Sequence, residues 1–234
     1  MNPIGWCDLT MNPISGCRTK CSYCYARRMA HRLQGRFGYP AGDLCFEPTI
    51  HWNIVDRIYY DLPLGGKKRI FLDSMGDWFS EGVEPTWIHA VVQAIKSQPT
   101  YKFLVLTKSP ENIEKVFGRY EIPSNLWLGV TVTEQTDTWR LQELRNICCY
   151  RFVSFEPLHG PIKAELELMP FHWIIIGQET GNRKGKIFIE RSWLDSLCKQ
   201  ANKIDLPVFL KNGMAGPKPD GTYDRREEFP EGLQ

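Results

Sequence analysis

Short apolar runs alternate along this chain with stretches in which apolar residues recur every three or four positions. Runs rich in Val, Ile and Leu are typical of strands buried on both faces, and the recurring pattern is typical of amphipathic helices. The predicted strands are residues 5–9, 69–73, 103–107, 126–131, 151–155, 173–176 and 207–210. The predicted helices are residues 25–34, 85–97, 113–117, 135–145 and 191–203. This alternation predicts an α/β fold in which a parallel sheet forms a barrel or partial barrel.

Polar residues and glycines follow several of the predicted strands directly. These segments are residues 73–77, 107–108, 131–134, 156–157 and 177–179. Parallel strands end on the same face of a barrel, and the loops at that face form the active site in such folds. The repeated pattern therefore predicts an active site at the carboxyl ends of the strands.

The composition is that of an ordinary globular protein, with 234 residues of which 42% are hydrophobic and 24% charged. This length suits one barrel domain with a full core, which we place at residues 1–212. Residues 213–234 are rich in Gly, Pro and charge, so we expect a C-terminal extension or lid there. The N-terminus lacks a basic region before an apolar run, and no stretch approaches the roughly 18 apolar residues of a membrane span. We therefore expect a cytoplasmic protein with no membrane partner.

Eight cysteines are spaced irregularly along the chain, which at this length favours reduced thiols over a disulfide framework. Three of them form the motif Cys17-x3-Cys21-x2-Cys24. Three thiolates in one loop can bind three irons of an iron–sulfur cluster and leave the fourth iron open for chemistry. The alternative is a closed zinc or iron–sulfur site, which would need Cys7 or Cys45 as its fourth ligand.

The cysteine loop has Tyr23 directly before its third cysteine, and this C-x3-C-x-aromatic-C pattern resembles the signature of radical S-adenosylmethionine (SAM) enzymes. The resemblance implies a parallel (β/α) partial TIM-type barrel and a [4Fe–4S] cluster bound by Cys17, Cys21 and Cys24. It also implies that SAM binds the open iron and is cleaved reductively to methionine and a 5′-deoxyadenosyl radical, which abstracts hydrogen from a substrate. An electron donor such as flavodoxin or ferredoxin would then be a partner.

A narrower resemblance covers most of the chain and is to the phage Gp37/Gp68-like proteins. The matching blocks are residues 6–17, 24–26, 106–110, 129–133, 154–158, 160–161, 173–181 and 209–211. Two positions depart from the pattern of that group, because Gln178 stands where Gly is usual and Ser109 stands where Arg is usual. These departures concern local contacts rather than the fold.

The radical SAM resemblance also implies which residues bind SAM. They are Tyr23; Asp73, Ser74, Met75, Gly76 and Asp77; Thr131, Thr133 and Glu134; and Gly177 with Gln178. Tyr23 would stack on the adenine, residues 73–77 would contact the methionine amino group, and residues 131–134 would contact the ribose and carboxylate. Simpler interpretations stay open, namely packing for Tyr23, a turn at residues 73–77 and a first-turn helix acid for Glu134.

The substrate-binding candidates are polar residues at or near strand ends, namely Asn12, Lys108, Glu156, Glu179 and Lys211. A carboxylate directly after a buried strand seldom lacks a partner. Glu156 and Glu179 therefore either bind SAM or substrate, or form ion pairs with Lys108 or Lys211. The sequence is compatible with both.

Basic residues concentrate around the cysteine loop and the helix after it, at Arg18, Lys20, Arg27, Arg28, Arg32 and Arg36. A basic rim suits phosphate groups, although solvated helix-face charge explains it as well, and the net charge of +2 does not decide between them. We expect a radical SAM enzyme that modifies or repairs nucleic acid, with a small molecule or nucleotide as the alternative substrate. A rival from another class is a non-catalytic iron–sulfur or zinc protein that acts as a binding module.

Overall fold

The computed structural model describes residues 4–62, 69–118 and 120–234. The strands are β1 (Leu9–Met11), β2 (Ile14–Ser15), β3 (Thr49–Ile50), β4 (Arg69–Leu72), β5 (Lys102–Thr107), β6 (Leu126–Thr131), β7 (Tyr150–Phe155), β8 (Trp173–Ile176), β9 (Val208–Leu210), β10 (Ala215–Pro217) and β11 (Tyr223–Arg225). The α-helices are α1 (Tyr25–Leu33), α2 (Trp52–Tyr60), α3 (Pro85–Lys96), α4 (Ile113–Phe117), α5 (Trp139–Arg145) and α6 (Arg191–Asn202). Short 3-10 helices include Gly42–Phe46 and Gln135–Asp137.

The main sheet has the strand order β1-β4-β5-β6-β7-β8-β9. β4 runs parallel to β1 and to β5, with Ile70 opposite Phe103 in the second pair. β8 runs parallel to β7 and to β9, with Ile174 opposite Val153 in the first pair. Helix α3 connects β4 to β5, α5 connects β6 to β7, and α6 connects β8 to β9. This order of strands with helical crossovers confirms the predicted parallel (β/α) partial barrel.

The chain folds into two compact units. The N-terminal unit is Cys7–Trp127 and contains β1 to β5 with α1 to α4. Its core includes Ile70 and Leu72 of β4 and Phe103 and Val105 of β5, all of them buried. These strands read as nearly continuous apolar runs because a sheet that is covered on both faces buries successive side chains alike.

The C-terminal unit is Leu128–Gln234 together with the segment that ends at Trp6. The indole ring of Trp173 on β8 lies 6.1 Å from the ring of Trp6 and 6.0 Å from the ring of Phe152 on β7. A Cβ at Gly129 would lie 2.6 Å from the ring of Phe152, so only glycine leaves room for this aromatic cluster. The core of the unit is therefore built around aromatic side chains.

Several elements of the structure differ from the predicted secondary structure, among them β1 and α2. The predicted strand at residues 5–9 is wrong, because Gly5 has a left-handed φ of 86° and β1 begins only at Leu9. Helix α2 was not predicted, since its buried stripe consists only of Val55 and Ile58 and the apolar periodicity is correspondingly weak. None of the helices in the described ranges combines the length and apolar character needed to cross a membrane.

The C-terminal segment beyond residue 212 packs within its own unit. Strands β10 and β11 form an antiparallel hairpin, and residues 226–228 then run beside β9. The amide of Leu210 donates to the carbonyl of Arg226 at 2.7 Å, and the amide of Glu228 donates to the carbonyl of Val208 at 3.1 Å. Arg226 is only 2% exposed. This part of the predicted extension is therefore a structural element, and a lid role for residues 213–234 stays a prediction.

Candidate functional site

The cysteine motif lies in the loop between β2 and α1. Cys17, Cys21 and Cys24 are partly exposed and form no disulfide. The amide of Thr19 donates to the Sγ of Cys17, and the amide of Arg27 donates to the Sγ of Cys24, both at 3.3 Å. Cys24 is the N-cap of α1, so its sulfur also faces the positive end of the helix dipole. Amide donors and a helix N-terminus both interact favourably with a sulfur that carries negative charge, as the sulfur of a metal ligand does.

The residues of this loop are chemically compatible with a [4Fe–4S] cluster. Within the described ranges, no three His, Cys, Asp or Glu side chains converge on one metal ion. In an iron–sulfur cluster, each cysteine thiolate binds a separate iron, so the cysteine sulfurs need not converge on one point. Three partly exposed thiols in one loop, two of which receive backbone N–H donors, are a donor set of the right chemistry, since hydrogen bonds to sulfur tune such clusters.

Cys45, one of the two candidates for a fourth ligand, lies beside this loop. It is buried and belongs to a cluster with Ala30 and Phe46, against which Cys17 and Cys24 pack. Its Sγ lies 3.3 Å from the Nδ1 of His31 on α1. The thiol already has a hydrogen-bond partner within the protein, and this gives it a structural role that requires no metal.

Two glycines bring the start of the cysteine loop against the segment after β4. The amide of Gly16 donates to the carbonyl of Met75 at 2.9 Å, and Gly16 and Gly76 form an isolated parallel bridge. A Cβ at Gly76 would lie 2.8 Å from the carbonyl oxygen of Ile14. The close backbone approach predicted for Gly76 is therefore made by the protein's own chain, and it joins residues 73–77 to the cysteine loop.

Asp73 supports this junction with both of its carboxylate oxygens. Oδ1 accepts from the amide of Ile14 at 2.8 Å, and Oδ2 accepts from the indole N–H of Trp78. Burial raises the pKa of Asp73 well above its usual value. Its φ of 57° lies in the left-handed region, which Asp tolerates better than most residues. The side chain is thus committed to holding β2 against the end of β4.

Both carboxylate oxygens of Asp77 accept hydrogen bonds from residues at the end of β5. Its Oδ1 accepts from the hydroxyl of Thr107 at 2.7 Å, and its Oδ2 accepts from the amide of Lys108 at 2.9 Å. The ammonium of Lys108 lies 5.9 Å from the centroid of the Tyr23 ring, within cation–π range. The structure therefore brings together Tyr23, Asp77 and Lys108, which the sequence assigned to cofactor and substrate.

Asn12 joins the same group from the end of β1. Its Oδ1 accepts from the hydroxyl of Ser74 at 3.1 Å and from the amide of Met75 at 3.0 Å. The hydroxyl of Tyr25 donates to the carbonyl of Ser74 at 2.6 Å. Residues 73–77 are consequently held from three directions, by β1, by the cysteine loop and by the end of β5.

Thr131, the last residue of β6, and Thr133 belong to the C-terminal unit. The hydroxyl and amide of Thr133 both donate to the Oδ2 of Asp137, at 2.7 and 2.9 Å. Arg140 donates to the carbonyl of Thr131 at 2.8 Å and forms an ion pair with Asp137 at 2.9 Å. Glu134 is exposed and is the N-cap of the 3-10 helix Gln135–Asp137, so it lies just before the first turn, in which the acidic residue is Asp137.

Glu156, directly after β7, and Lys211, directly after β9, form an ion pair. The Nζ of Lys211 donates to the Oε1 of Glu156, and Lys211 is only 8% exposed. A Cβ at Gly177 would lie 2.8 Å from the Cδ of Glu156, so glycine at this position leaves space for the carboxylate. Gln178, the next residue, is half-buried. The ion-pair alternative for Glu156 is thus the arrangement found.

Glu179 forms the second ion pair, with a partner that the sequence analysis did not name. Arg183 donates to both of its oxygens, at 2.6 and 2.7 Å, and the Nε2 of His159 lies 3.2 Å from Oε2. The hydrogen bonds from Arg183, more than its charge and the nearby His159, lower the pKa of Glu179. This carboxylate is therefore ionised at neutral pH, and it is 4% exposed.

Replacing Glu179 with Gln is expected to lower the free energy of unfolding at pH 7 by about 2 kcal/mol, because the charged hydrogen bonds from Arg183 are lost. The pKa of Glu179 is lower in the folded than in the unfolded state, so its stabilisation is present above the usual value of 4.5 and is lost as the pH falls through the folded pKa. Urea unfolding should therefore show a gap between wild type and variant that closes below about pH 4.5. Glu143→Gln, exposed on α5, is the control, and an equal loss in both variants would contradict the assignment.

Several residues of the site were missed in the sequence analysis. They are Gly16, Asp137, Arg140, His159 and Arg183. The pairs Asp137–Arg140 and Glu179–Arg183 have the i,i+3 and i,i+4 spacings of helical ion pairs, although residues 179–183 form no helix. The contacts of Gly16 and His159 depend on residues distant in sequence and had no local signal.

Comparisons with known proteins place the chain among others of the same fold. A family model described as "Protein of unknown function (DUF5131)" matches residues 1–225. A search of curated protein sequences finds no relative. A mutant spore photoproduct lyase solved with bound AdoMet and a dinucleoside spore photoproduct is similar in structure, with a TM-score of 0.54, 9% identity, and coverage of 86% of this chain and 75% of that chain. Another mutant of that enzyme has a TM-score of 0.49 at 11% identity, and the match covers 72% of this chain and 55% of that one. The first of these likenesses, at 9% identity, shows the fold alone, a partial barrel of the radical SAM kind.

Proposed function

This chain belongs to the DUF5131 family of proteins of unknown function, and we propose that it is a radical SAM enzyme with a [4Fe–4S] cluster on Cys17, Cys21 and Cys24. The observation that carries the proposal is the geometry of the cysteine loop. Its thiols are partly exposed, two of them receive backbone N–H donors, and Gly16 joins the loop to residues 73–77 at a strand end. The fold agrees, since the similar spore photoproduct lyase structure contains bound AdoMet.

The side chains of the N-terminal unit have defined tasks in this proposal. When bound, the cluster supplies the electron that cleaves SAM to methionine and a 5′-deoxyadenosyl radical. Tyr23 offers its ring to the adenine, with Lys108 beside that ring. Asp73 and Asp77 already accept hydrogen bonds from the protein, so they position residues 74–76 rather than bind SAM through their carboxylates.

The polar residues of the C-terminal unit are proposed to bind SAM or substrate through atoms that are not already used in ion pairs or hydrogen bonds within the protein. Thr131, Thr133 and Glu134 remain candidates for the ribose and carboxylate of SAM, together with Gly177 and Gln178. The pairs Glu156–Lys211 and Glu179–Arg183 keep these charges fixed, because each buried or half-buried carboxylate has a cationic partner. Fixed charges of this kind can orient a polar substrate without reorganising.

The proposed substrate of the radical is a nucleic acid or a nucleotide. Arg28, Arg32 and Arg36 are exposed on α1 and just beyond it, close in sequence to the cysteine loop. The similar spore photoproduct lyase structure contains a dinucleoside photoproduct, which makes this class of substrate compatible with the fold. A one-electron donor such as flavodoxin or ferredoxin is the proposed redox partner.

The deciding experiment is anaerobic reconstitution with iron and sulfide, followed by reduction with dithionite in the presence of SAM. We expect about four irons per monomer. We also expect 5′-deoxyadenosine in the chromatogram only when both SAM and the reductant are present. An intact cluster without SAM binding or SAM cleavage would support the non-catalytic iron–sulfur protein instead. Iron near eight per monomer would contradict the single-cluster proposal.

A further inference from the structure

A cavity of about 560 Å³ lies within the N-terminal unit, beside the end of β1 and the first turns of α2. The lining residues that matter here are Asn12, Phe37, Tyr39, His51, Asn53 and Arg57. This volume falls in the range of small-molecule sites, which span about 300–1,000 Å³. The proposed chemistry on the cysteine loop does not use the cavity, although Asn12 connects the two regions.

The charge of the lining indicates an anionic ligand. Among the described residues that line the cavity, Arg57 carries a permanent positive charge and none is Asp or Glu. Arg57 is exposed, and its guanidinium has no hydrogen bond or ion pair with any of the described residues. A guanidinium presents a planar fork of donors that matches the oxygens of a phosphate. A cavity wall with one uncommitted Arg and no carboxylate is therefore suited to a phosphate group.

An exposed aromatic ring stands at the rim of the same cavity. Phe37 is 79% exposed and has a left-handed φ of 53°, a conformation that bulky residues rarely adopt. Gly38 follows with a φ of 83°, and a Cβ there would lie 2.7 Å from the Nδ1 of His51. The loop is thus pressed onto His51 in a strained conformation that presents the Phe37 ring to solvent. Exposed aromatic rings of this kind stack on nucleobases.

Polar groups lie deeper in the cavity. His51 is 6% exposed, and its Nε2 lies 2.7 Å from the hydroxyl of Ser15, which fixes the ring. The ring of Tyr39 lies 5.4 Å from the ring of His51. Burial lowers the pKa of His51, so the imidazole is neutral at pH 7. Asn12 uses its Oδ1 on Ser74 and Met75, and its side-chain N–H donors have no partner within the described ranges.

We propose that this cavity binds a nucleoside phosphate, with the base stacked on Phe37, the phosphate bound by Arg57, and the side-chain N–H groups of Asn12 hydrogen-bonded to the edge of the base. This proposal names the substrate class of the proposed enzyme. That the bound nucleotide is the substrate rests on the proposed function. Asn12 also holds residues 74–75, so the bound nucleotide would lie beside the segment proposed to contact SAM. The nucleoside phosphate is either a free nucleotide or one unit of a nucleic-acid strand.

The test is equilibrium binding to the reconstituted protein, measured by calorimetry. The ligands are the four 2′-deoxynucleoside 5′-monophosphates, the matching nucleosides, and a 10-nucleotide single strand. We expect Arg57→Gln to weaken monophosphate binding about tenfold and to leave nucleoside binding unchanged, because the change removes only the phosphate partner. Arg145→Gln, an exposed Arg on α5, is the matched control and should bind like wild type.

A second variant separates loss of binding from loss of folding. Phe37→Gly removes the ring and also relieves the left-handed strain, so its thermal midpoint should not fall. We expect it to weaken monophosphate and nucleoside binding alike, by about tenfold. Wild-type affinity in both variants, or competitive displacement of the monophosphate by SAM, would overturn the assignment of this cavity.

The remaining outcomes identify the source of the ligand and separate the two proposals. Affinity for the strand that exceeds monophosphate affinity and falls steeply with salt supports a strand unit, whereas equal affinities support a free nucleotide. Cleavage of SAM without any nucleotide binding would contradict the assignment of this cavity and would support the radical SAM proposal. If the protein binds nucleotide through Arg57 but does not cleave SAM, the cavity assignment would stand and the radical SAM proposal would fail.

Discussion

Replacing Cys21 with alanine is expected to reduce 5′-deoxyadenosine formation to background in protein reconstituted with iron and sulfide. Cys21 lies in the middle of the loop, and its carbonyl accepts from the amide of Cys24 in the turn that presents the third thiol. Loss of a group that only supports a metal ligand costs about 10–100-fold in affinity or activity, so loss of a ligand itself should cost more. Iron analysis and chromatography of the reduced reaction with SAM measure both effects.

Two further cysteine variants make this result specific. Cys148→Ala removes an exposed thiol outside the motif and should retain wild-type iron content and SAM cleavage. Cys45→Ala removes the buried thiol that packs against Cys17 and Cys24 and that a closed site would recruit as fourth ligand. If iron were lost as completely from Cys45→Ala as from Cys21→Ala, the site would be closed and the radical SAM proposal would fail.

Gly16→Ala is expected to lower the free energy of unfolding by about 3 kcal/mol or more and to reduce the iron content with it. Gly16 has a φ of 86°, and a Cβ there would lie 2.2 Å from the backbone oxygen of Glu47. Backbone cannot move aside as a flexible side chain can, so the start of the cysteine loop would have to leave the carbonyl of Met75. Urea unfolding of the apoprotein measures the loss of stability.

Gly42→Ala is the matched control for this substitution. Gly42 has a φ of 65°, and a Cβ there would meet nothing within 4 Å, so alanine adds left-handed strain without a clash. Strain of this kind alone should cost about 1 kcal/mol and leave the iron content unchanged. Equal losses of stability in the two variants would show that the close approach to Glu47 does not matter, and would refute the junction drawn here between the cysteine loop and residues 73–77.

The strand and helix pattern was predictable wherever local sequence and tertiary burial agree. The strands at residues 126–131 and 173–176 and the helix at residues 113–117 were predicted with the bounds observed in β6, β8 and α4. Helix α2 escaped prediction because three of its aromatic residues, Trp52, Tyr59 and Tyr60, are exposed, which blurs the apolar stripe. β1 was misplaced because the apolar side chain of Trp6 packs in the C-terminal unit rather than in a strand.

The sequence by itself determined the cysteine motif, the alternation of strands and helices, and the polar residues at strand ends, because each is a local property of residue type and spacing. Only the tertiary structure decided the partners. In the structure, Glu156 pairs with Lys211, and Glu179 pairs with Arg183 and His159. Asp73 accepts a hydrogen bond from the amide of Ile14. Strand order and register bring together residues far apart in the chain, and a single sequence carries no direct signal of those distances.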